Sequence, residues 1–186
     1  MVRYNFPNPD PERWMTAFDL AVARIDGQGK HDHTGRATEM GDAVVAVLAV
    51  SLLARSEPDE LWVGPRLNEF RTHVRDVLRA HREALAAWLG RLDLALWRRN
   101  RDGWYEASMD RSAAEVLVRE IDNETERPLI PPHRLAEVDQ EMREIGPTLN
   151  ALPPDAVPRS IPQDHWWWFL PEGPDQSDLD EADFAY

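Results

Sequence analysis

Hydrophobic residues recur through the first part of the chain at the three- and four-residue spacing of amphipathic helices. The clearest case lies between Asp10, which can cap a helix, and Gly27, which can end one. Pro11 is suited to the first helical position. The apolar positions of this segment share one face: Trp14, Phe18, Ala21, Val22 and Ile25. We therefore predict a first helix between Asp10 and Gly27.

The next two predicted helices differ in how much of their surface is apolar. Residues 36–55 are apolar on all sides between Ala43 and Ala54, which is typical of a central helix surrounded by others. Residues 65–99 keep one apolar stripe and would form a rod about 50 Å long, so we expect a break near Gly90. The stripe contains Leu67, Phe70, Val74, Leu78, His81, Leu85, Trp88, Leu92 and Leu96.

Two shorter helices complete the pattern. Asp110 or Ser112 can cap a helix that reaches about residue 126, and Ser112 with Glu115 matches a capping box. The fifth helix lies between Pro131 and Gly146, with an apolar residue at every third or fourth position.

The predicted fold class is all-α. A helical bundle of about five helices occupies residues 1–150, and an extended tail rich in proline and tryptophan occupies residues 151–186. No long segment shows the alternation of a strand. Seven prolines after Gly146 prevent regular structure in the tail.

Three consecutive tryptophans, Trp166, Trp167 and Trp168, are the most informative feature of the tail. Each indole can bury roughly 200 Å² of surface. Successive side chains of an extended segment point to opposite sides, so one surface cannot easily cover all three rings. We expect two rings to be mostly buried, on the chain's own bundle or on another protein, and the third to cover an edge.

The end of the tail is acidic and carries scattered apolar residues, a composition typical of disordered segments that fold on binding. The leading functional hypothesis is a non-enzymatic protein–protein interaction module: an accessory subunit, or an inhibitor or immunity-type protein. Its partner would be another protein or a copy of itself. The predicted partner-binding residues are Trp166, Trp167, Trp168, Phe169, Leu179, Phe184 and Tyr186.

Composition narrows the alternatives. The 186 residues carry a net charge of −13 and no cysteine, which disfavours non-specific nucleic-acid binding and excludes disulfides and thiol chemistry. The N-terminus lacks the apolar run of a signal peptide, and the longest apolar run, residues 43–53, is about half a membrane span. We therefore expect a soluble cytoplasmic protein that has no cofactor and does not bind membranes.

Arginines concentrate in residues 66–101, where nine of them face four acids. Arg71, Arg75, Arg79 and Arg82 form a band beside the apolar stripe, which we call the basic band. Two interpretations remain open. The side-chain stems can cover the edge of the bundle, or the band can dock an acidic segment of this chain or of a partner.

Two arginine–histidine pairs on the third predicted helix suggest an enzymatic alternative. Arg75 precedes His81 by six residues, and Arg66 precedes His73 by seven. These spacings resemble the Arg-x4–6-His signature of HEPN ribonucleases, all-helical domains that typically dimerise. The resemblance implies metal-independent RNA cleavage, with His81 or His73 as general acid or base. Arg75 or Arg66 would then offset charge on the phosphate.

The loop after the first helix contains His31 and His33, which together with a nearby carboxylate are weak candidates for a metal site. A polar connection between two helices is the favoured interpretation of this loop.

Overall fold

The computed structural model describes residues 6–28, 32–122, 127–149, 152–158 and 160–169. Six α-helices and no strand occur in these residues, which confirms the all-α bundle. The helices are α1 Pro11–Gly27, α2 His33–Ser56, α3 Pro65–Ala80, α4 Arg82–Trp97, α5 Arg101–Val116 and α6 Pro132–Ile145.

Local capping explains where the first helices begin. The Asp10 side chain accepts a hydrogen bond from the Arg13 N–H at 3.2 Å, so α1 starts as predicted. The α2 helix starts three residues before its predicted first residue, because Asp32 caps it by accepting from the Gly35 N–H at 2.9 Å.

The long third helix is broken at His81, and the prediction of a break near Gly90 was wrong. His81 has φ −110° and ψ 34°, while Gly90 lies inside α4. The helix resumes after one residue, and Leu78 and Leu85 are buried on either side of the break. The apolar spacing therefore runs through the break unchanged and gives no sign of it.

The α5 helix begins well before the predicted start at Asp110 or Ser112. Asn100 caps it by accepting from the Gly103 N–H at 2.8 Å. A Cβ at Gly103 would lie 2.5 Å from the Ala95 carbonyl oxygen, so only glycine permits this close turn from α4 into α5. Ser112 is thus an interior residue of α5, and the predicted capping box is wrong. A π-helical turn, Leu117–Ile121, follows α5 directly.

The α2 helix is the centre of the bundle, with α1, α4 and α5 packed around it. It is long and apolar enough to cross a membrane by length and composition, but 72% of its most apolar window is buried inside the bundle. That burial is typical of a central core helix.

The described part of the tail folds back onto this bundle. Short 3-10 turns occur at Pro154–Ala156 and Trp166–Trp168. Leu152 and Ala156 join the same hydrophobic core as the helices. The three tryptophans therefore lie on a 3-10 turn, and not on the extended segment that the sequence predicts.

Candidate functional site

The tryptophan run forms the most elaborate polar and aromatic cluster of the described residues. Trp167 and Trp168 are each 2% exposed, and Trp166 is half-buried. The Trp166 ring lies under the Arg143 guanidinium, 4.4 Å from its carbon atom. Two rings are buried and the third covers an edge, as expected, and the surface they use is the chain's own bundle.

A single hydroxyl group organises the buried rings. Ser112 Oγ lies 3.0 Å from Trp167 Nε1, 2.8 Å from Trp168 Nε1 and 3.2 Å from His165 Nδ1. Both indole nitrogens can only donate, and a hydroxyl has two lone pairs and one hydrogen. Ser112 therefore accepts from both indoles and donates to His165 Nδ1. We call Ser112, His165, Trp167 and Trp168 the tail latch.

The tail latch requires a neutral imidazole. His165 is buried and stacks on Trp167 at 4.8 Å between ring centroids. Burial lowers the pKa of His165 to about 4, although the carboxylates of Asp164 and Glu115 oppose the shift. The neutral imidazole is thus the stable form near neutral pH. The hydrogen-bond inventory of the Ser112 hydroxyl places the ring proton on Nε2 and leaves Nδ1 as the acceptor.

Further contacts tie the tail latch to α5. Trp104 Nε1 donates to the Trp167 carbonyl oxygen at 3.1 Å, and the Ser108 hydroxyl lies 3.5 Å from the same oxygen. The Arg111 guanidinium carbon lies 4.4 Å from the Trp167 ring centroid. Arg111 is itself held by Asp139 on α6 at 2.7 Å, so the segment is clamped between two helices.

A second layer of ion pairs covers the outside of the tail latch. Arg119 bridges Asp164 at 2.7 Å and Glu115 at 2.5 Å. Burial opposes ionisation of Glu115, but Arg111 and Arg119 hold the pKa of its carboxyl below the usual range. The cluster therefore joins residue 164 of the tail to α5 by charge as well as by packing.

The Ser112–His165 pair has the composition of a nucleophile and its base. Ser112 is fully buried and His165 is 2% exposed, so a substrate cannot reach the hydroxyl. The Ser112 hydroxyl is also fully used in holding three rings. This geometry can fix a segment in place, and it does not provide an accessible nucleophile.

Phe169 marks the point where the tail leaves the tail latch. Its side chain is 47% exposed, next to the buried Trp168. The other predicted partner-binding residues, Leu179, Phe184 and Tyr186, lie outside the described residues.

The arginine–histidine pairs are each engaged with other residues of the chain. Arg75 Nε donates to the Ile121 carbonyl oxygen at 2.7 Å. His81, at the break between α3 and α4, has Nε2 3.5 Å from the nearest carboxylate oxygen of Asp26. The structure does not place Arg75 and His81 on a shared partner.

The second pair behaves in the same way. Arg66 is bound by Glu12 at 3.1 Å, and His73 Nε2 lies 2.9 Å from an Asp19 oxygen. Both side chains are about half exposed on α3. Each group thus faces a carboxylate of α1, and the two do not converge on a common cleft.

The basic band mainly holds the segment that follows α5. Arg71 pairs with Glu120 of the π-helical turn, and Glu120 also accepts from the Ser51 hydroxyl at 2.6 Å. Arg82 donates to the Arg127 carbonyl oxygen at 3.1 Å. Within the described part of the chain, Glu120 is therefore one acidic partner of this band. Docking of an acidic tail there stays a prediction.

The metal hypothesis rested on His31 and His33. His31 lies outside the described residues, and His33 is an exposed residue at the start of α2. Within the described ranges, no group of three or more metal-ligating side chains converges.

A cleft of about 330 Å³ between α2, α4 and α5 has no counterpart in the predictions from sequence. Buried aromatic residues share its walls with carboxylates that are exposed or, for Asp110, half-buried. Among them, Asp110 accepts a hydrogen bond from Trp88 Nε1 at 3.2 Å. The principal lining residues are Asp42, Trp88, Arg91, Tyr105, Glu106 and Asp110.

A sequence signal for this cleft exists. Asp102, Glu106 and Asp110 follow one another at four-residue spacing, which places three acids on one face of a helix. The three acids share a helix face only if the helix begins at Arg101. The predicted start at Asp110 or Ser112 leaves Asp102 and Glu106 outside the helix.

No protein-family model, curated protein or solved structure matches the chain.

Proposed function

We propose that the protein is a non-enzymatic helical interaction module, an accessory subunit or an inhibitor or immunity-type protein. It binds another protein through residues 169–186, the segment that leaves the tail latch. The observation that supports this proposal most strongly is the tail latch itself, because it fixes the root of a segment that continues into an exposed aromatic residue, Phe169.

An anchored root matters energetically. Part of the cost of binding is the ordering of flexible chain, and here residues 165–168 are already ordered by the bundle. Contacts made beyond Phe169 therefore begin from a fixed position.

The chemistry of the segment indicates the surface that it would bind. Residues 170–186 contain six acids and no basic residue, together with Leu179, Phe184 and Tyr186. Aromatic residues are enriched among interface hot spots, and charge guides association. The partner surface would be basic with apolar hollows, and the affinity would fall as salt rises.

Affinity purification of the tagged full chain, with quantitative mass spectrometry, tests the proposal. One variant ends at Phe169 and keeps the tail latch, and a second carries Leu179→Ser, Phe184→Ser and Tyr186→Ser. The matched control carries Ala182→Ser and Ala185→Ser in the same segment.

We expect the full chain and the Ala182→Ser, Ala185→Ser control to capture the same partner protein. The variant that ends at Phe169 and the triple-serine variant should both lose it. Retention of that partner by the chain that ends at Phe169 would show that binding occurs elsewhere on the molecule.

A further inference from the structure

The cleft between α2, α4 and α5 carries an excess of negative charge. Four carboxylates and two guanidinium groups line it. Arg98 Nη1 donates to Glu106 at 2.6 Å, and Arg91 Nη1 donates to the neutral Thr38 hydroxyl at 2.9 Å. Asp42 is paired with Arg24, which lies outside the cleft, at 3.7 Å. The Asp110 carboxylate accepts a hydrogen bond from a neutral donor, Trp88 Nε1.

The arrangement of acids around the cleft destabilises the folded protein in two ways. Like charges four residues apart on a helix are mutually destabilising, and α5 places Asp102, Glu106 and Asp110 in that relation. Burial also raises the pKa of Asp110 to about 7, although the Trp88 hydrogen bond and Arg91 oppose the shift. A cation in the cleft would relieve both costs.

The other walls of the cleft are apolar and aromatic. Trp88, Tyr105 and Met109 line it, and each of them is buried. A volume of about 330 Å³ lies within the range of small-molecule sites, roughly 300–1,000 Å³. The space therefore suits a molecule that has both a charged group and a hydrocarbon part.

We propose that this cleft binds an organic cation, a primary or secondary alkylamine, with its ammonium group at Asp110 and its hydrocarbon part against Tyr105 and Met109. The ammonium group supplies N–H donors to the Asp110 carboxylate. A bare metal ion suits the cleft less well, because no set of three metal-ligating side chains converges in the described ranges.

Isothermal titration calorimetry with putrescine tests this site on the full chain. The wild-type protein should bind one putrescine, and Asp110→Asn, which keeps an oxygen for the Trp88 N–H, should weaken binding at least about tenfold. Asp59→Asn is the matched control, since it removes an exposed acid outside the cleft. The neutral analogue 1,4-butanediol should not bind.

Binding should depend on pH because Asp110 must be ionised. With a pKa of about 7, the ionised fraction rises about tenfold from pH 6 to pH 8. Wild-type affinity should rise by the same factor, and the affinity of Asp110→Asn should stay flat. Asp110 shares the cleft with charged groups from each element around it: Asp42 on α2, Arg91 on α4, Arg98 after α4, and Asp102 and Glu106 on α5.

A measurement on the wild-type protein keeps the test valid if Asp110→Asn does not fold. The carboxyl carbon of Asp110 is titrated by NMR with and without saturating putrescine. Because linkage is reciprocal, a bound cation should lower the pKa of Asp110 by more than one unit.

Three results would overturn the proposal. The first is that the wild-type protein does not bind putrescine at about 10 mM. The second is that Asp110→Asn and Asp59→Asn lose equal amounts of putrescine affinity. The third is that saturating putrescine leaves the pKa of Asp110 unchanged. Equal losses would indicate general attraction to an acidic surface.

Discussion

Removing the hydroxyl of Ser112 is the sharpest perturbation of the tail latch. Ser112→Ala leaves two indole N–H groups, those of Trp167 and Trp168, and the Nδ1 atom of His165 without their shared partner. All of these residues are buried, so water cannot readily replace the hydroxyl. A buried polar group left unsatisfied costs about 1–3 kcal/mol. With some rearrangement, we expect Ser112→Ala to lower the free energy of unfolding by roughly 3 kcal/mol.

Ser108→Ala is the matched control. Ser108 lies one turn earlier on α5 and is also fully buried. Its replacement by alanine removes the same hydroxyl oxygen. Its hydroxyl makes a single long contact of 3.5 Å to the Trp167 carbonyl oxygen, and Trp104 Nε1 already donates to that oxygen at 3.1 Å. Its replacement should therefore cost less than about 1 kcal/mol.

Urea unfolding followed by tryptophan fluorescence measures both variants. The midpoint should fall much further for Ser112→Ala than for Ser108→Ala, at a similar slope. Hydrogen exchange should also be faster at the backbone N–H groups of Trp168 and Phe169, which close the 3-10 turn. Equal midpoints for the two variants would refute the assignment of Ser112 as the organising acceptor of the tail.

Three further predictions concern pH, the acidic end and the core. The pKa of His165 is lowered from 6.5 to about 4 on folding, so its contribution is complete above pH 6.5 and is lost as the pH falls towards 4, by roughly 3 kcal/mol at most. Asp110, with a raised pKa of about 7, changes the stability in the opposite direction over this pH range. The contribution of His165 is therefore measured as the difference in unfolding free energy between wild type and His165→Asn, from urea curves at each pH. A difference that does not change with pH would contradict the assignment. Deletion of residues 175–186 should leave the thermal midpoint unchanged, and a drop of more than about 5 °C would show that they belong to the core. Leu78→Ala should cost roughly 2–5 kcal/mol in chemical denaturation, whereas His81→Leu, at the helix break, should cost far less, and similar costs would contradict that placement.

The sequence is sufficient to predict the parts of the fold that local chemistry determines. Asp10 and Pro11 mark the start of α1, and Pro131 and Gly146 bracket α6, because caps and prolines act on their own neighbours. The central position of α2 follows from apolar residues on all of its faces. These predictions needed no knowledge of distant contacts.

The errors arise where tertiary contacts override local signals. Ser112 lies within α5 although its spacing to Glu115 matches a capping box, because the helix already begins at Arg101. Its hydroxyl instead binds the tail, more than fifty residues later in the chain. The Asn100 cap marks the start of α5 locally, but the close turn from α4 into α5 depends on Gly103 lying against the Ala95 carbonyl group. Neither relation can be read from a window of neighbouring residues.

The candidate sites divide in the same way. Burial of two tryptophans followed from their size alone, since large rings are costly to leave in water. The sequence does not identify Ser112 as the acceptor for their N–H groups, because any buried hydroxyl could accept these hydrogen bonds. The cleft at Asp110 was missed since the acids on α5 form a single row only when the helix begins at Arg101.

Photo-crosslinking inside the cell tests most directly whether the segment beyond the tail latch binds another protein. The photoreactive amino acid p-benzoylphenylalanine is placed at Phe169 or Phe184, and at Leu61, which is 95% exposed and outside the tail, as the control. We predict that both tail positions become joined to the same second protein, or to a second copy of this chain, and that Leu61 does not. Crosslinks from the tail positions that stay within one chain, or the same products from Leu61, would contradict the proposal that residues 169–186 are the docking segment.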